Sequence, residues 1–518
     1  MAAWLISSLF IPLNTLRCYR LFDWLGWSAL VGGALLTLSF APFQQFWLAP
    51  LCVAWLAWLW SRASTPWHAA LLGGLFGFGF FATSVSWIFI SIYEYGGTPL
   101  PIALGLTLGL ILLMASYFAI QGFFLTRYWP HNSAIKWLWV FPASWALMEW
   151  VRGWLFTGFP WMMLSYSQVF GPLNGYAAIL GGYALSALVA WLGGALTYLY
   201  CQRQTLASQT KWLLISVLIL IPLGGVFLQS ASWSQPHGMS ITASLVQGNI
   251  EQTVKWSPQY VYHSIDTYTQ LSTDHWHSDL VIWPEASIPL PLDTALDFLQ
   301  PVLQAAQAND TALLIGIPVA KAHTSYFYNA LVGLGAAKGQ YDKQHLVPFG
   351  EYIPFERWLG NVFDVLEIPS PSFTVGARQQ TPITVHHIPI AAFICYEIAY
   401  ASAVRQTLPT AQLLVTVSND AWFGDSLAPY QHLQIAQFRS LQTQRDQLFA
   451  TNDGVTASID FRGRLLDRIP QFEAQVLETI VQPRVGSTPW VRTGDTPWLL
   501  LMLFGLLGGL CWERRHCG

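Results

Sequence analysis

The sequence predicts a polytopic α-helical membrane region of about eight spans joined to an α/β sandwich domain, and three observations carry that prediction. Only 10% of the residues are charged, against about 25% in an ordinary soluble protein. Aromatic residues make up 15% of the chain and include 27 Trp, rings that collect at bilayer interfaces. From about Ser232 to Thr496 the long apolar runs give way to polar helical segments alternating with short runs of Val, Ile and Leu, the pattern of an α/β fold. The formal net charge of -3 implies no nucleic-acid partner.

Taken in order, Ala3 to Leu16 is apolar but too short to cross a bilayer and lacks a basic region ahead of it, so it is expected to lie at the interface. A span needs roughly 20 residues. Candidates follow at Trp24 to Ala41, Phe46 to Trp60, Trp67 to Tyr93, Leu100 to Leu125, Trp137 to Val151, Gly175 to Tyr200, Trp212 to Leu228 and Trp498 to Trp512, with Phe46 to Trp60 short for a full span. Basic residues mark the cytoplasmic side. Arg17, Arg20, Arg62, Arg127, Lys136, Arg203, Lys211, Arg514 and Arg515 all fall on one side of this arrangement, and the opposite short connections hold only Arg152. Both termini are then cytoplasmic, and the insert lies outside, on the periplasmic or extracellular face. The expected units are residues 1–231, 232–496 and 497–518.

Glycine-rich stretches at Leu71 to Phe81 and Leu104 to Leu110 suit close helix packing. Glu149 and Arg152, three residues apart near a span end, are expected to pair. Within the insert, strands are expected at Ile241 to Gln247, Leu280 to Trp283, Ala312 to Pro318, Asn329 to Leu334, Ile388 to Ile394 and Leu413 to Val417. Surface helices are expected at Pro258 to Thr273, Ala295 to Ala308 and Leu427 to Gln447.

Three places in the insert share one design, an apolar strand or run followed by a polar residue in a Pro- or Gly-marked turn. LVIWPEASIP carries Glu285, YDKQHLVPFGEYIP carries Lys343 and Glu351, and FICYE carries Cys395 and Glu397. A carboxylate, an ammonium and a thiol suffice for acyl transfer: base, oxyanion stabiliser and nucleophile. A lone cysteine ending an apolar strand is also a common small core residue. Joint placement at strand ends, with no other cysteine in the insert, favours the nucleophile. The remaining cysteines, Cys18, Cys52, Cys201, Cys511 and Cys517, lie in or beside apolar segments, so neither a disulfide framework nor a zinc spacing is present. His345 and His323 read as structural and loop residues.

WPEAS, KQHLVPFGEYIP and ICYE, in that order, resemble the Glu, Lys and Cys motifs of the nitrilase, or carbon-nitrogen hydrolase, superfamily. A domain of that kind ahead of a last membrane helix resembles one family in particular, the apolipoprotein N-acyltransferases of bacterial lipoprotein maturation. The resemblance implies a nitrilase-like αββα sandwich, with Glu285 as general base, Lys343 as oxyanion-stabilising ammonium, Cys395 as nucleophile and Glu351 as accessory acid. It also points to Tyr396 and Glu397 after the nucleophile, to Ser418 to Gly424, and to Trp256 in QGNIEQTVKW as accessory or substrate-binding positions. Glu251 departs from the expected pattern, and Asp364 to Arg378 matches no role.

The resemblance further implies a phospholipid acyl donor, a diacylglyceryl-apolipoprotein acceptor, a bacterial inner-membrane location and a membrane-embedded monomer, with no metal and no cofactor. The same three residues would equally serve a membrane-anchored amidase, for which eight spans are superfluous. A non-catalytic receptor that kept the fold would not need the complete Glu, Lys and Cys set.

Overall fold

Strand order and burial explain why the apolar runs of the insert are continuous rather than alternating. In the computed structural model, which describes residues 23–257, 260–348, 350–352 and 373–516, two sheets stack face to face. The first holds β1 (Ile241–Gln247), β2 (Leu280–Trp283), β3 (Ala312–Ala320), β4 (Phe327–Gly335) and β6 (Gln340–Asp342), with β13 (Gln475–Val481) at its edge, in the order β13-β1-β2-β3-β4-β6. The second runs β12-β11-β10-β9-β8-β7-β5, built from β5 (Ala337–Lys338), β7 (Ile383–Val385), β8 (Ile388–Ile394), β9 (Leu413–Ser418), β10 (Gln447–Thr451), β11 (Thr456–Ile459) and β12 (Leu465–Ile469). The strands β1, β2 and β3 are parallel, as are β8, β9 and β10, so both of their faces must be covered.

Inner-face residues such as Leu245, Ile282 and Leu314 meet Ile394, Val415 and Leu448 across the sandwich. On the outer face of the first sheet, Trp283, Ile315 and Ile317 pack with Ile265 and Tyr268 of α8 (Val261–Ser272) and Leu299 of α9 (Leu292–Ala308). All six expected strands form, three of them with the expected ends. The two outer-layer helices on this side form as well.

The apolar region supplies α1 (Trp24–Leu36), α2 (Leu48–Arg62), α3 (Pro66–Ser84), α4 (Leu100–Tyr128), α5 (Phe141–Arg152), α6 (Ala177–Cys201), α7 (Ser208–Leu228) and α11 (Thr496–His516). Among the described residues, four helical segments are long and apolar enough to cross a bilayer, at Leu100–Tyr128, Pro172–Cys201, Ser208–Leu228 and Thr496–Arg515, and a fifth counts if α3 is joined to the bent segment Ile88–Tyr95. At 15 and 12 residues, α2 and α5 fall short. By length and composition alone, the described residues therefore show four or five spans. Ala3 to Leu16, Pro258 and residues 364–372 lie outside the described residues.

Close packing is the role of the first glycine stretch. A Cβ at Gly79 would meet the Leu30 carbonyl of α1, and one at Gly73 would meet the Phe118 carbonyl of α4. Gly105 and Gly109 face open space instead. The expected Glu149–Arg152 pair does not form directly. Glu149 Oε1 accepts from Trp145 Nε1 and Leu164 N at 3.0 and 2.8 Å, while Arg152 donates to the Trp161 and Met162 carbonyls. Backbone left unpaired by the irregular segment after α5 claims both side chains.

A second correction concerns the expected surface helix Leu427 to Gln447. The helix α10 (Ala428–Thr443) is polar, yet all of it except Tyr430 is buried, and the chain passes into β10 before Gln447 is left behind. It lies between the outer face of the second sheet and the helical bundle, with Phe438 and Leu441 sharing a core with Phe393, Phe449, Leu164 and Leu185. Most of its polar groups are paired, with partners on both sides; Gln434 Nε2 and Gln442 Nε2 are buried without one. Arg439 donates to the carbonyls of Ile398 and Ala399 at 2.8 and 2.6 Å, to Tyr166 Oη at 2.9 Å and to Gln442 Oε1 at 2.6 Å. Gln431 donates to the Ser84 carbonyl and accepts from the indoles of Trp161 and Trp87.

Replacing Arg439 by Met keeps the stem but strands these acceptors in the interior. Arg439→Met should cost about 3 kcal/mol, seen as a lower melting temperature of the detergent-purified protein. An unchanged melting temperature would show that the guanidinium does not hold the helix in place.

Candidate active site

The parallel strands β2, β8 and β9 end on one side of the sandwich, and each delivers a functional group one or two residues beyond its last paired residue, where open α/β sheets place their chemistry. Past β2 and Pro284 comes Glu285; immediately past β8 comes Cys395; past β9 come Asn419 and Asp420. Pairing of Val417 with Ile394 sets Ser418 and Asn419 beside Cys395. Lys343 follows β6, which joins the first sheet through β4.

These elements bring Glu285, Lys343, Glu351 and Cys395 together. Lys343 is buried, with Nζ 2.9 Å from Glu285 Oε1 and 3.0 Å from Glu351. One amide serves both carboxylates, since Asn329 Nδ2 donates to Glu285 Oε1 and to Glu351 Oε1, each at 2.7 Å. The remaining oxygens accept backbone N–H groups, Glu285 Oε2 from Asn419 and Glu351 Oε2 from Val347.

Burial alone would raise Glu285, but the Lys343 ammonium and the bonds from Lys343, Asn329 and Asn419 outweigh it and hold the carboxyl below its usual value. Glu351 moves the other way: burial raises it, and the nearby Glu285 charge adds to that against Lys343. Burial would lower Lys343, yet Glu285, Glu351 and Cys395 together hold it well above the ordinary lysine value. The Cys395 thiol is pushed well up by burial and by Glu285, with Lys343 opposing. The resting site therefore holds an ionised base, a charged ammonium and a neutral thiol. A reaction at the sulfur would have to remove the thiol proton as it proceeds, and Glu285 is an ionised carboxylate of this cluster.

Cys395 adopts φ 57° and opens the tight turn Cys395–Ala399. Glu397 has its partners within the protein. It is fully buried and ties the cysteine turn to the lysine loop, accepting from the backbone N–H groups of Ile394, Gln344 and His345 and from Tyr341 Oη. Tyr396 donates to the Leu346 carbonyl at 2.7 Å and bridges the same two segments. His345 stacks on Tyr400 with centroids 4.0 Å apart, and His323 sits exposed in a turn, both as expected. Trp256 is 45% exposed at the end of the short helix Gln252–Lys255.

Several site residues escaped the sequence reading. Asn329 opens an apolar strand, and a polar residue there was the available signal. Lys255 carried no signal beyond its place beside Trp256. Its ammonium is fully buried, 3.4 Å from the Glu285 carbonyl, and burial brings it down to about 8 against the pull of Glu285 and Asp453. Burial and the neighbouring Asp420 push Asp453 up to about 7.

Removing the shared amide should expose the balance at the base. In Asn329→Ala, Glu285 loses a donor that favours its charged form, so its pKa rises and the base is lost at a higher pH on acidification. The acid limb of Cys395 alkylation should move up by about one pH unit. An unmoved limb would mean that Asn329 does not set the base.

Two family models match, the apolipoprotein N-acyltransferase N-terminal domain over residues 32–195 and carbon-nitrogen hydrolase over residues 242–489. The apolipoprotein N-acyltransferase of Methylococcus capsulatus is 40% identical over 94% of this chain and 96% of its own. That of Coxiella burnetii is 37% identical over 92% and 98%, and that of Vibrio cholerae 36% identical over 97% and 100%. Among solved structures, Saccharomyces cerevisiae Nit3 aligns with 49% of this chain and 93% of its own, at 16% identity and a TM-score of 0.37. With relatives of this identity matched from end to end, the chain belongs to the apolipoprotein N-acyltransferase family.

Proposed function

We propose that the protein moves a fatty acyl chain from a membrane phospholipid, through a thioester on Cys395, to the α-amino group of the N-terminal diacylglyceryl-cysteine of an apolipoprotein. The observation that carries this reading is the convergence of Glu285, Lys343 and Cys395 at neighbouring strand ends in a chain whose full-length relatives are apolipoprotein N-acyltransferases.

In the first half-reaction Glu285 takes the thiol proton as Cys395 Sγ bonds to the ester carbonyl carbon. Lys343 stabilises the oxyanion, aided by the backbone N–H that follows the nucleophile. Collapse breaks the ester C–O bond, and the proton passes from Glu285 to the departing lysophospholipid oxygen. In the second half the neutral amine attacks the thioester carbon and Glu285 takes its proton. The C–S bond breaks, and the sulfur recovers a proton from Glu285. Glu351 holds the other side of Lys343 and keeps the ammonium in position. Trp256 and Tyr396 are read as flanking the substrate entrance.

The proposed topology has eight crossings, both termini in the cytoplasm and the catalytic unit on the periplasmic side of the bacterial inner membrane. It divides the chain into 1–231, 232–496 and 497–518, working as a monomer. It is supported by the ends of the helices. Arg62, Arg127, Lys136, Arg203 and Arg514 gather at one end, where Asn132 and Gln202 are hydrogen-bonded across connections. The catalytic unit meets the opposite ends, through Ala41, Ser84, Ser91 and Gly158.

Wild-type protein incubated with phospholipid should gain one acyl mass on Cys395, removable by hydroxylamine. Cys395→Ala should lose both the adduct and transfer to a diacylated lipopeptide while remaining in the membrane. Transfer retained in that variant would sink the assignment. Alkaline phosphatase fused after residue 518 should be inactive in cells, and an active fusion would reverse the topology.

A further inference from the structure

Cys395 presents a problem that the three reacting groups do not solve. Its backbone lies at φ 57°, a conformation that L side chains rarely adopt, and glycine, which would adopt it freely, carries no thiol. The turn has to be held from outside. On its near side Glu397 takes the Ile394 N–H at 2.9 Å. On the far side the holder comes from α10, since His432 Nε2 lies 3.1 Å from the Cys395 carbonyl oxygen.

His432 is itself fixed. It is fully buried, its Nδ1 lies 3.1 Å from Asp420 Oδ1, and its ring packs against Trp161 and Phe449. Acceptor oxygens thus face both ring nitrogens, and an imidazole can bond both only if the Asp420–His432 pair carries a proton beyond those of a neutral ring beside a carboxylate. Asp420 Oδ1 also accepts from Ser418 Oγ at 2.7 Å, while Oδ2 is buried without a partner.

Asp420 adjoins Asn419 in the chain, and the Asn419 N–H is the group that holds Glu285 Oε2. Two consecutive residues at the end of β9 therefore reach both halves of the proton-transfer pair, Asn419 the base directly and Asp420 the nucleophile through His432. A shift of either would change the distance between Glu285 and the thiol.

We propose that Asp420 and His432 are positioning residues for acyl transfer: the imidazole, oriented by Asp420, clamps the Cys395 carbonyl and keeps the thiol in register with Glu285. The inference rests on the acyl-enzyme route proposed above. Neither side chain touches the reacting atoms. Because the clamp acts on the geometry of attack rather than on lipid binding, its loss lowers the acylation rate and leaves the phospholipid half-saturation unchanged.

The test compares His432→Leu, which fills the space without a donor, with His432→Gln, whose amide N–H reaches the position of Nε2. Full-length protein in detergent is mixed with dioleoylphosphatidylglycerol, and single-turnover adduct formation is followed by intact mass. His432→Leu should acylate about 10- to 100-fold more slowly at saturating lipid, and His432→Gln should recover most of that loss at a similar melting temperature. Wild-type speed in His432→Leu would overturn the proposal. So would equal loss in both variants with parallel drops in melting temperature, which assigns the ring to packing. If His432→Leu does not survive purification, Asp420→Ala, which frees the ring to turn off the carbonyl, should slow acylation comparably, and wild-type speed there would also overturn it. Failure of the wild type to form any adduct would refute the acyl-enzyme route itself, a different outcome from an adduct that forms as fast without the imidazole.

Discussion

Burial of a polar helix constrains everything around it. In α10 the side chains of Gln431, His432, Gln434, Gln437, Arg439, Ser440 and Gln442 are all withdrawn from water, and each donor or acceptor left unpaired there would cost on the order of 1–3 kcal/mol. The partners come from two directions. The second sheet and the cysteine turn supply the carbonyls of Cys395, Ile398 and Ala399. The bundle supplies Ala41 N–H, the Ser84 carbonyl, Tyr166 and the indoles of Trp87 and Trp161. Neither body can satisfy the helix alone, so the bundle completes the core of the catalytic unit. An apolar helix in that place would tolerate sliding; one paired at this many points has a single register, and the turn that carries Cys395 inherits it.

The same economy of partners governs charge in the site. One ammonium faces two carboxylates, and a single asparagine amide spends its two hydrogens on the same pair. The asymmetry between the carboxyls comes from their remaining contacts and from burial, which leave Glu285 lowered and Glu351 raised. That ordering suits the chemistry. The more acidic group is the one whose charge acts on the thiol, and it stays ionised, as the proposed base must. Glu351 can take up a proton without removing it. Because Cys395 is held as a neutral thiol, the site does not store a thiolate, and nucleophilicity develops only as the proton leaves.

Much of the α/β unit was legible in the sequence because parallel strands buried on both faces must be apolar throughout. Ile241–Gln247, Leu280–Trp283 and Ile388–Ile394 have their expected ends for that reason. The strands Gln447–Thr451, Leu465–Ile469 and Gln475–Val481 were not recognised. The last two are sheet-edge strands with exposed polar positions, Asp467 and Arg468 in one and Glu478 in the other, and the first carries a glutamine whose amide is satisfied by Thr416. In α10 a hydrophilic sequence reads as a solvated face, because partners such as Cys395 and Ala41 lie 37 and 393 residues away in the chain and only the fold brings them to it. The Glu285, Lys343 and Cys395 set was legible because strand-end placement is a local signal. Asn329 and His432 were not, since their importance lies in which carboxylate or carbonyl the fold sets opposite them.

The bend between α3 and Ile88–Tyr95, 61°, links the bundle to the reacting groups by a short path. Beyond the bend, Ser91 Oγ donates to the Trp422 carbonyl at 2.6 Å, Tyr95 packs edge-on to Trp422, and Trp87 lies edge-on to Phe423 at 4.8 Å. Those aromatic residues belong to the turn Asp420–Phe423, whose first residue orients His432. A straight helix would carry Ser91 and Tyr95 away along the axis of α3 and leave the turn without a floor. The break thus places an apolar helix end against the loop that holds the nucleophile in register.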